Sequence, residues 1–538
     1  MELYNDILKY IRKFKLELLF SFVFTCIFSL GYILNTYDTV DINPLGGRLL
    51  TVYIFTSILL WCALFWAFVF LRHRIEKKIV KSRKPLFKNI SDKRFFLFTW
   101  LAIITLSSPL ILLSVGTMTT DSWSSVSQVA GSSALSSAHP IIFTGFVSIF
   151  LTLGHLLGSM HIGILLFSLT QSAILAAIFS VVITWMRKER FSNILIFSSF
   201  IFYSIIPINA MAGLNMWKDI LFAGIGLLLL MILRSIYVKR SEFFTKKNVL
   251  YFTLLVFLFC TWRNNGLYAY LLATPLIILS DRKVFFNKKY LALFVTPILL
   301  VGVYLLSISF LATPPSSAES MSIPMQQLTR TAKYHQSSIS EEDYKMLNKI
   351  LPLGEVTELY DPNLSDPVKG RIILSELNAN KGDYMKLWVS LLVRYPKTFI
   401  AATAYNTFGY IYPMRASPTT TDLVIDNDTQ LFVPKDYVDD AYDNGNKRMV
   451  EEYRNILRSI FPLAQNIGLY TCIILLSLYI TILRRRFELT GAFILLAALL
   501  VSVLLGPVNG EFRYLYLFVI SSPFILASSL YPASLQKK

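Results

Sequence analysis

Apolar segments long enough to cross a lipid bilayer recur along most of this chain. A membrane-spanning helix needs about 20 apolar residues, and it must satisfy its backbone hydrogen bonds internally. The chain is 54% hydrophobic and 16% charged, whereas soluble domains are about 25% charged. We therefore expect an all-α polytopic membrane protein with about 12 transmembrane helices. The predicted spans lie near 16–34, 51–71, 95–115, 160–184, 192–209, 217–236, 249–262, 267–280, 290–311, 464–483, 488–507 and 514–531.

The distribution of positive charge predicts the orientation of these spans. With a cytoplasmic N-terminus, 31 of the 51 Lys and Arg residues fall in cytoplasmic segments, and 16 of the others lie in 312–463 beside 19 acidic residues. This asymmetry is typical of a multi-pass protein of the cytoplasmic (plasma) membrane, with both termini in the cytoplasm. The positive-inside distribution of Lys and Arg then accounts for the net charge of +18, so we expect the lipid bilayer as a partner and no nucleic acid.

Two further apolar stretches, 141–157 and 386–411, are predicted to lie in the outer interface rather than to cross the membrane. Counting one of them as a span would place Arg484-Arg485-Arg486 outside, against the positive-inside rule. The second stretch is interrupted by Pro396, which suits a surface helix.

Three parts of the chain follow from this topology. A membrane domain, 1–311, contains a first outer loop with its interfacial helix, 116–159. An extracytoplasmic segment of mixed structure, 312–463, contains the second interfacial helix. The C-terminal membrane helices occupy 464–538.

Ionisable residues are nearly absent from the middle of the predicted spans and crowd at their outer ends. An ion-coupled transporter places such groups, or broken helices, near the bilayer midplane. The pattern instead indicates a site on the outer face at membrane depth. It weakens the hypothesis of a transporter.

Asp121 follows the third predicted span, in an outer segment that has no Lys or Arg. A carboxylate there can accept a proton from a sugar hydroxyl as a general base. The alternative is that Asp121 caps the helix that follows. His139 precedes Pro140 at the start of the interfacial stretch, where it can donate a hydrogen bond to a phosphate or serve as an ordinary interfacial polar residue.

Cations stand at the outer ends of other spans. Lys218, in Trp217-Lys218-Asp219, opens a span at the end where the helix dipole disfavours a cation and favours a bound phosphate. The alternative is an aromatic-belt Trp with a snorkelling Lys. Arg263 and Arg513 suit bidentate phosphate recognition, although structural salt bridges have the same spacing.

These features resemble the GT-C superfamily of membrane glycosyltransferases, which use polyprenyl-phosphate-linked sugars. The resemblance depends on the run from Asp121 through Gln128 to His139-Pro140, and on Trp217-Lys218-Asp219. Ile323-Pro324-Met325-Gln326-Gln327 with Arg330, and Arg513-Tyr514, look like a branch from Gram-positive bacteria that is often left as a family of unknown function.

The resemblance implies a GT-C-like fold and an inverting sugar transfer from a polyprenyl-phosphate donor to a cell-envelope acceptor, which is a glycopolymer, a glycolipid or a protein. Thr119 and Trp123 replace the paired Asp-x-Asp of metal-using members, so we expect neither a divalent metal nor another cofactor. The alternative functions are a transporter or flippase of lipid-linked saccharides and a non-catalytic envelope scaffold. The implied site residues are Asp121 as the base, Lys218, Arg263, Arg330, Arg513 and His139 for the donor phosphate and lipid, and Gln128, Trp217, Asp219, Gln326, Gln327 and Tyr514 for the substrate.

Overall fold

The structure is a computed structural model of the full chain. It describes residues 13–37, 46–76, 86–114 except 88, 118, 120–417, and 452–531 except 453–454 and 457–458. Within these residues the secondary structure is helical, with three isolated β-bridges and no strand. The chain is thus an all-α polytopic membrane protein, as its composition predicts.

The N-terminal membrane part consists of apolar helices joined by short polar loops. One of them, α9 (Lys218–Lys239), lies at the centre of the bundle, because it buries most of its side chains and packs against neighbouring helices and against the last two helices of the bundle. The helices in this part are α1 (Lys15–Thr36), α2 (Gly46–Glu76), α3 (Asp92–Ser114), α4 (Thr120–Val129), α5 (Ile141–Leu156), α6 (Met160–Lys188), α7 (Asn193–Ser204), α8 (Pro207–Leu214), α9 (Lys218–Lys239), α10 (Lys246–Trp262), α11 (Asn264–Ser280), α12 (Arg282–Phe285) and α13 (Lys288–Ser309).

The segment that follows α13 folds as a small helical domain with its own core. Leu347, Ile350 and Leu391 are fully buried in that core. The prediction of mixed secondary structure for this segment is wrong for the described residues. They form helices, because the apolar side chains of the segment recur at helical spacing. Its helices are α14 (Ser322–Tyr334), α15 (Glu341–Ile350), α16 (Leu353–Leu359), α17 (Asp366–Lys369), α18 (Leu374–Ala379), α19 (Lys381–Arg394) and α20 (Pro396–Thr407).

The chain then returns to the bundle with α21 (Ile467–Leu483), α22 (Thr490–Leu504) and α23 (Tyr516–Leu530). In the described part of the chain, eight segments are long and apolar enough to span a membrane, or nine if α7 and α8, bent by 41°, form one span. The eight contain α1, α2, α3, α6, α9, α13, α22 and α23.

Three other predicted spans, 249–262, 267–280 and 464–483, correspond to helices that are shorter than a membrane-spanning helix usually is. Helices α10, α11 and α21 have 17 residues each, which is about 26 Å of helix against a hydrocarbon core of about 30 Å. The total of twelve therefore stays a prediction. The stretch 141–157 forms α5, a helix of 16 residues. The stretch 386–411 is divided at Tyr395, because Pro396 occupies the first turn of α20.

The turn between α10 and α11 depends on a glycine. Arg263 has an extended backbone there, and a Cβ on Gly266 would lie 2.0 Å from the carbonyl oxygen of Phe259. We expect Gly266→Ala to lower the melting temperature of the detergent-purified protein by several degrees, because overpacking costs about 1–3 kcal/mol. Tryptophan fluorescence during heating measures this.

Gly302→Ala is the matched control, since a Cβ at Gly302 in α13 meets no atom within 4 Å. We expect that variant to be as stable as the wild type or slightly more stable, because alanine favours a helix interior. Equal melting temperatures for the two variants would contradict the close packing of this turn.

Candidate functional site

Asp121 lies where three separate elements of the bundle meet. It is in the first turn of α4, Lys218 is the first residue of α9, and Arg513 lies in a 3-10 turn just before α23. Arg513 Nη1 donates a hydrogen bond of 2.7 Å to Asp121 Oδ2, and Lys218 Nζ lies 3.5 Å from the same oxygen. The side chain of Asp121 is 34% exposed. The site is therefore a partly open carboxylate held by two cations.

His139 completes this cluster in a neutral form. Burial, then the charge of Lys218, lowers the pKa of His139 to about 4. Lys218 Nζ lies 3.5 Å from His139 Nδ1, and an ammonium can only donate, so Nδ1 is the unprotonated nitrogen. Burial alone would raise the pKa of Asp121, but the charges of Lys218 and Arg513 outweigh it and hold that pKa well below its usual range. Asp121 is thus ionised at neutral pH.

A second ion pair lies directly behind this cluster. Arg263 Nη1 is 2.6 Å from Asp219 Oδ1, and their side chains are only 5% and 1% exposed. The Arg263 guanidinium lies 4.6 Å from the ring centre of Tyr514 and donates to its carbonyl oxygen at 3.3 Å. A buried charge is costly unless it is paired. This pair therefore fixes the start of α9 against the residues that precede α23.

Arg513 is held from two further sides. Its guanidinium lies 5.1 Å from the ring centre of Trp217, and its Nε is 3.5 Å from Glu511 Oε1. Glu511 is almost fully buried. Aromatic and carboxylate contacts together limit the positions that a guanidinium can adopt. Arg513 is therefore aimed at Asp121 by its surroundings.

The small helical domain formed by α14–α20 holds the loop that leads to Arg513. Asn509 donates from its backbone to Asn363 O at 2.9 Å and from its side chain to Asn363 Oδ1 at 2.8 Å. Its Oδ1 accepts a hydrogen bond of 2.7 Å from the backbone N–H of Gly409. Asn406 donates to Gly506 O at the start of the same loop. The domain thus positions the site through a clamp on residues 506–510.

The structure brings together eight of the twelve predicted site residues. The other four make their described hydrogen bonds elsewhere. Gln128 instead accepts a hydrogen bond from Ser136 N at 2.9 Å and ties α4 to the loop that follows it. The eight residues in the cluster are Asp121, His139, Trp217, Lys218, Asp219, Arg263, Arg513 and Tyr514.

Gln326, Gln327 and Arg330 lie on α14 inside the small helical domain. Gln327 accepts from Trp388 Nε1 at 2.9 Å and donates to Thr403, which joins three helices of the domain. Gln326 donates to Asp361 O at 2.7 Å, two residues before Asn363. Arg330 donates to Tyr360 at 3.0 Å and is fully buried. Their substrate and phosphate roles stay predictions.

Glu511 and Asn363 belong to this arrangement but are not among the twelve predicted site residues. Glu511 lies two positions before Arg513, and an acidic residue so close in sequence is a signal for an ion pair. Asn363 is 146 residues away from Asn509 in sequence, and a polar residue in a loop carries no sign of such a contact.

The residues that the structure describes contain no group of three or more His, Cys, Asp or Glu side chains that could hold a metal ion. The sequence Asp426-Asn427-Asp428, which has a metal-like spacing, lies outside the described residues.

Over residues 127–533 the sequence matches a family of unknown function, DUF6020. The chain belongs to this family. Its matched region contains Lys218, Arg263 and Arg513, whereas Asp121 lies six residues before its first position. Comparisons with curated proteins and with solved structures give no match.

The low pKa of His139 predicts how stability depends on pH. The pKa is about 4 in the folded protein and about 6.5 in an unfolded chain, so the unfolded state binds more protons between these values. The stability that the neutral imidazole contributes is full above about pH 6.5 and is lost as the pH falls toward 4. We expect the melting temperature to fall less between pH 7 and pH 5 in His139→Asn than in the wild type. Thermal unfolding in detergent measures this.

The exposed His155 provides the control, and His155→Asn should keep the wild-type pH dependence. The contribution of Asp121 is constant in this window, because a carboxylate with a lowered pKa loses stability only below about pH 4. The same pH dependence in His139→Asn and the wild type would contradict a neutral, buried His139.

Proposed function

We propose that this protein is a membrane glycosyltransferase of the GT-C type. It transfers a sugar from a polyprenyl-phosphate donor to a cell-envelope acceptor on the outer face of the cytoplasmic membrane, with both termini in the cytoplasm. The observation that carries the proposal is the partly open Asp121 carboxylate, whose Oδ2 is contacted by both Lys218 and Arg513. One carboxylate and two cations are what a direct displacement on a phosphate-linked sugar requires.

The cations supply the binding site for the donor phosphate. Lys218 lies at the N-terminus of α9, where free backbone N–H groups and the helix dipole favour an anion. Arg513 adds a planar guanidinium, which can bind two phosphate oxygens at once. Both groups remain in place as the sugar leaves, so they stabilise the negative charge that develops on the phosphate.

Asp121 acts on the acceptor. Both cations contact Oδ2, and among the described residues no hydrogen bond is donated to Oδ1, so we assign Oδ1 to the acceptor hydroxyl. The acceptor oxygen attacks the anomeric carbon and forms a new C–O bond. The bond from that carbon to the phosphate oxygen breaks, and the lipid phosphate leaves with the electron pair. The hydroxyl proton passes to Asp121, and the configuration at the anomeric carbon inverts.

The low pKa of Asp121 is compatible with this role for two reasons. A hydroxyl becomes acidic only as its oxygen bonds to the oxocarbenium-like carbon, so the carboxylate first orients the hydroxyl and takes the proton late. In addition, the donor phosphate competes for Lys218 and Arg513. The negative charge of the bound phosphate offsets that of the two cations, so the pKa of Asp121 rises toward its ordinary value.

The proposal predicts the effect of Asp121→Asn, which keeps the shape of the side chain and removes the base. We expect sugar transfer to fall by at least about 100-fold, because a general base contributes about 10²–10⁴-fold. The measurement is mass analysis of envelope glycopolymers, glycolipids and proteins from cells that carry the wild type, the variant or no copy of the protein.

Asp383→Asn is the matched control, because Asp383 is an exposed carboxylate of α19 that pairs with Lys386. That variant should restore the wild-type envelope. Full modification by correctly inserted Asp121→Asn would contradict the mechanism. Translocation of a labelled polyprenyl-phosphate sugar across liposomes without a new glycosidic bond would instead favour a flippase.

A further inference from the structure

The opposite end of α9 carries a buried arginine. Arg234 lies 16 residues beyond Lys218, about 24 Å along the helix, and is only 5% exposed. It lies near the other membrane surface from the Asp121 cluster. An ionised side chain inside a membrane helix is costly, so such residues usually meet a partner or a ligand.

The described residues provide no partner for the guanidinium of Arg234. Its Nε and Nη2 are buried and donate no hydrogen bond, and no ion pair joins it to a carboxylate. Its guanidinium lies 4.9 Å from the ring centre of Trp185, which forms an aromatic wall beside it. By contrast, the buried Arg263 at the other end of the bundle is paired with Asp219. Arg234 is therefore a buried cation with unused donors.

Other elements close around Arg234 at the ends of the helices. Trp185 packs on Phe524 of α23, and the 3-10 turn Phe487–Leu489 packs against α9. Arg486, which precedes this turn, is half-buried, and its Nε also has no hydrogen-bond partner in the part of the chain described here. Arg484 donates to Leu530 O at 2.7 Å and so joins the turn to the end of α23.

The charges that act on Arg234 leave room for an anion. Glu189 and Glu488 attract it from beyond ion-pair distance, and Arg486 repels it. The positive charge of Arg486 also repels that of Arg484. Three arginines thus share one region with two carboxylates, and neither carboxylate neutralises Arg234 by contact.

We propose that Arg234 and Arg486 bind a phosphate group at this end of the bundle, with Trp185 as the wall of the site. Two guanidinium groups with free N–H donors match the several oxygens of a phosphate. The depth of Arg234, close to the end of a membrane helix, favours the phosphate of an anionic phospholipid in the leaflet opposite the Asp121 cluster. This inference is independent of the proposed sugar transfer.

The test is thermal unfolding of the delipidated, full-length protein in detergent. We expect added dioleoyl-phosphatidylglycerol to raise the melting temperature by several degrees in a saturable way, since a ligand of the folded state stabilises it. Diacylglycerol, which lacks the phosphate, should not. Arg234→Gln should lose this rise. Arg240→Gln is the matched control and should keep the rise. Arg240 directly follows α9, at the same end of that helix as Arg234, but it is 43% exposed and pairs with Asp281.

The variants also separate binding from folding. Without lipid, Arg234→Gln should be at least as stable as the wild type, because it removes an unpaired buried charge. If it fails to fold, Arg234→Lys decides: it keeps the charge but loses the planar fork, so the lipid concentration at half-maximal shift should rise about tenfold.

The source of the phosphate follows from a parallel titration with inorganic phosphate. A rise with phosphatidylglycerol alone assigns the site to a lipid, and a rise with inorganic phosphate as well assigns it to a soluble phosphate ligand. The proposal is overturned if neither ligand raises the melting temperature, or if Arg234→Gln and Arg234→Lys leave the rise in melting temperature unchanged.

Discussion

The ion pair between Asp121 and Arg513 joins residues that are 392 positions apart in the chain. Removing charges from water costs more than a loose contact returns, so such groups persist at membrane depth only when they meet with good geometry. The pair therefore requires α4, the start of α9 and the turn before α23 to meet at one point. One layer deeper, the almost fully buried Arg263–Asp219 ion pair joins the turn between α10 and α11 to the start of α9.

The small helical domain formed by α14–α20 holds this arrangement in position. Its contacts with the loop 506–510 use both the backbone and the side chain of Asn509, so they restrain both the position and the orientation of the loop. Because Arg513 follows four residues later, movement of the domain would move the guanidinium relative to Asp121. The cations of the proposed donor site thus depend on a domain that contributes no charge of its own to the ion pairs.

The two ends of α9 show how differently a bundle can treat a cation. At the start of the helix, Lys218 and its neighbours are balanced by carboxylates, and a phosphate can enter only by competing for them. Near its other end, the Nε and Nη2 donors of Arg234 have no acceptor, so a phosphate would accept hydrogen bonds that no other group accepts. The first situation suits a site that turns over its ligand, and the second suits a ligand that stays bound.

The sequence by itself determined the helical membrane fold, the break at Pro396 and the crowding of ionisable residues at the helix ends, because length, hydropathy and proline geometry act locally. Eight of the twelve predicted site residues accordingly fall in one cluster. Tertiary structure alone decided which cation meets which carboxylate, that Gln327 packs between helices, and that Asn363 holds Asn509. Such contacts join distant positions, and a local pattern fixes the face of a helix without fixing its neighbour. The buried, unpaired state of Arg234 became visible only when the surrounding helices were in place.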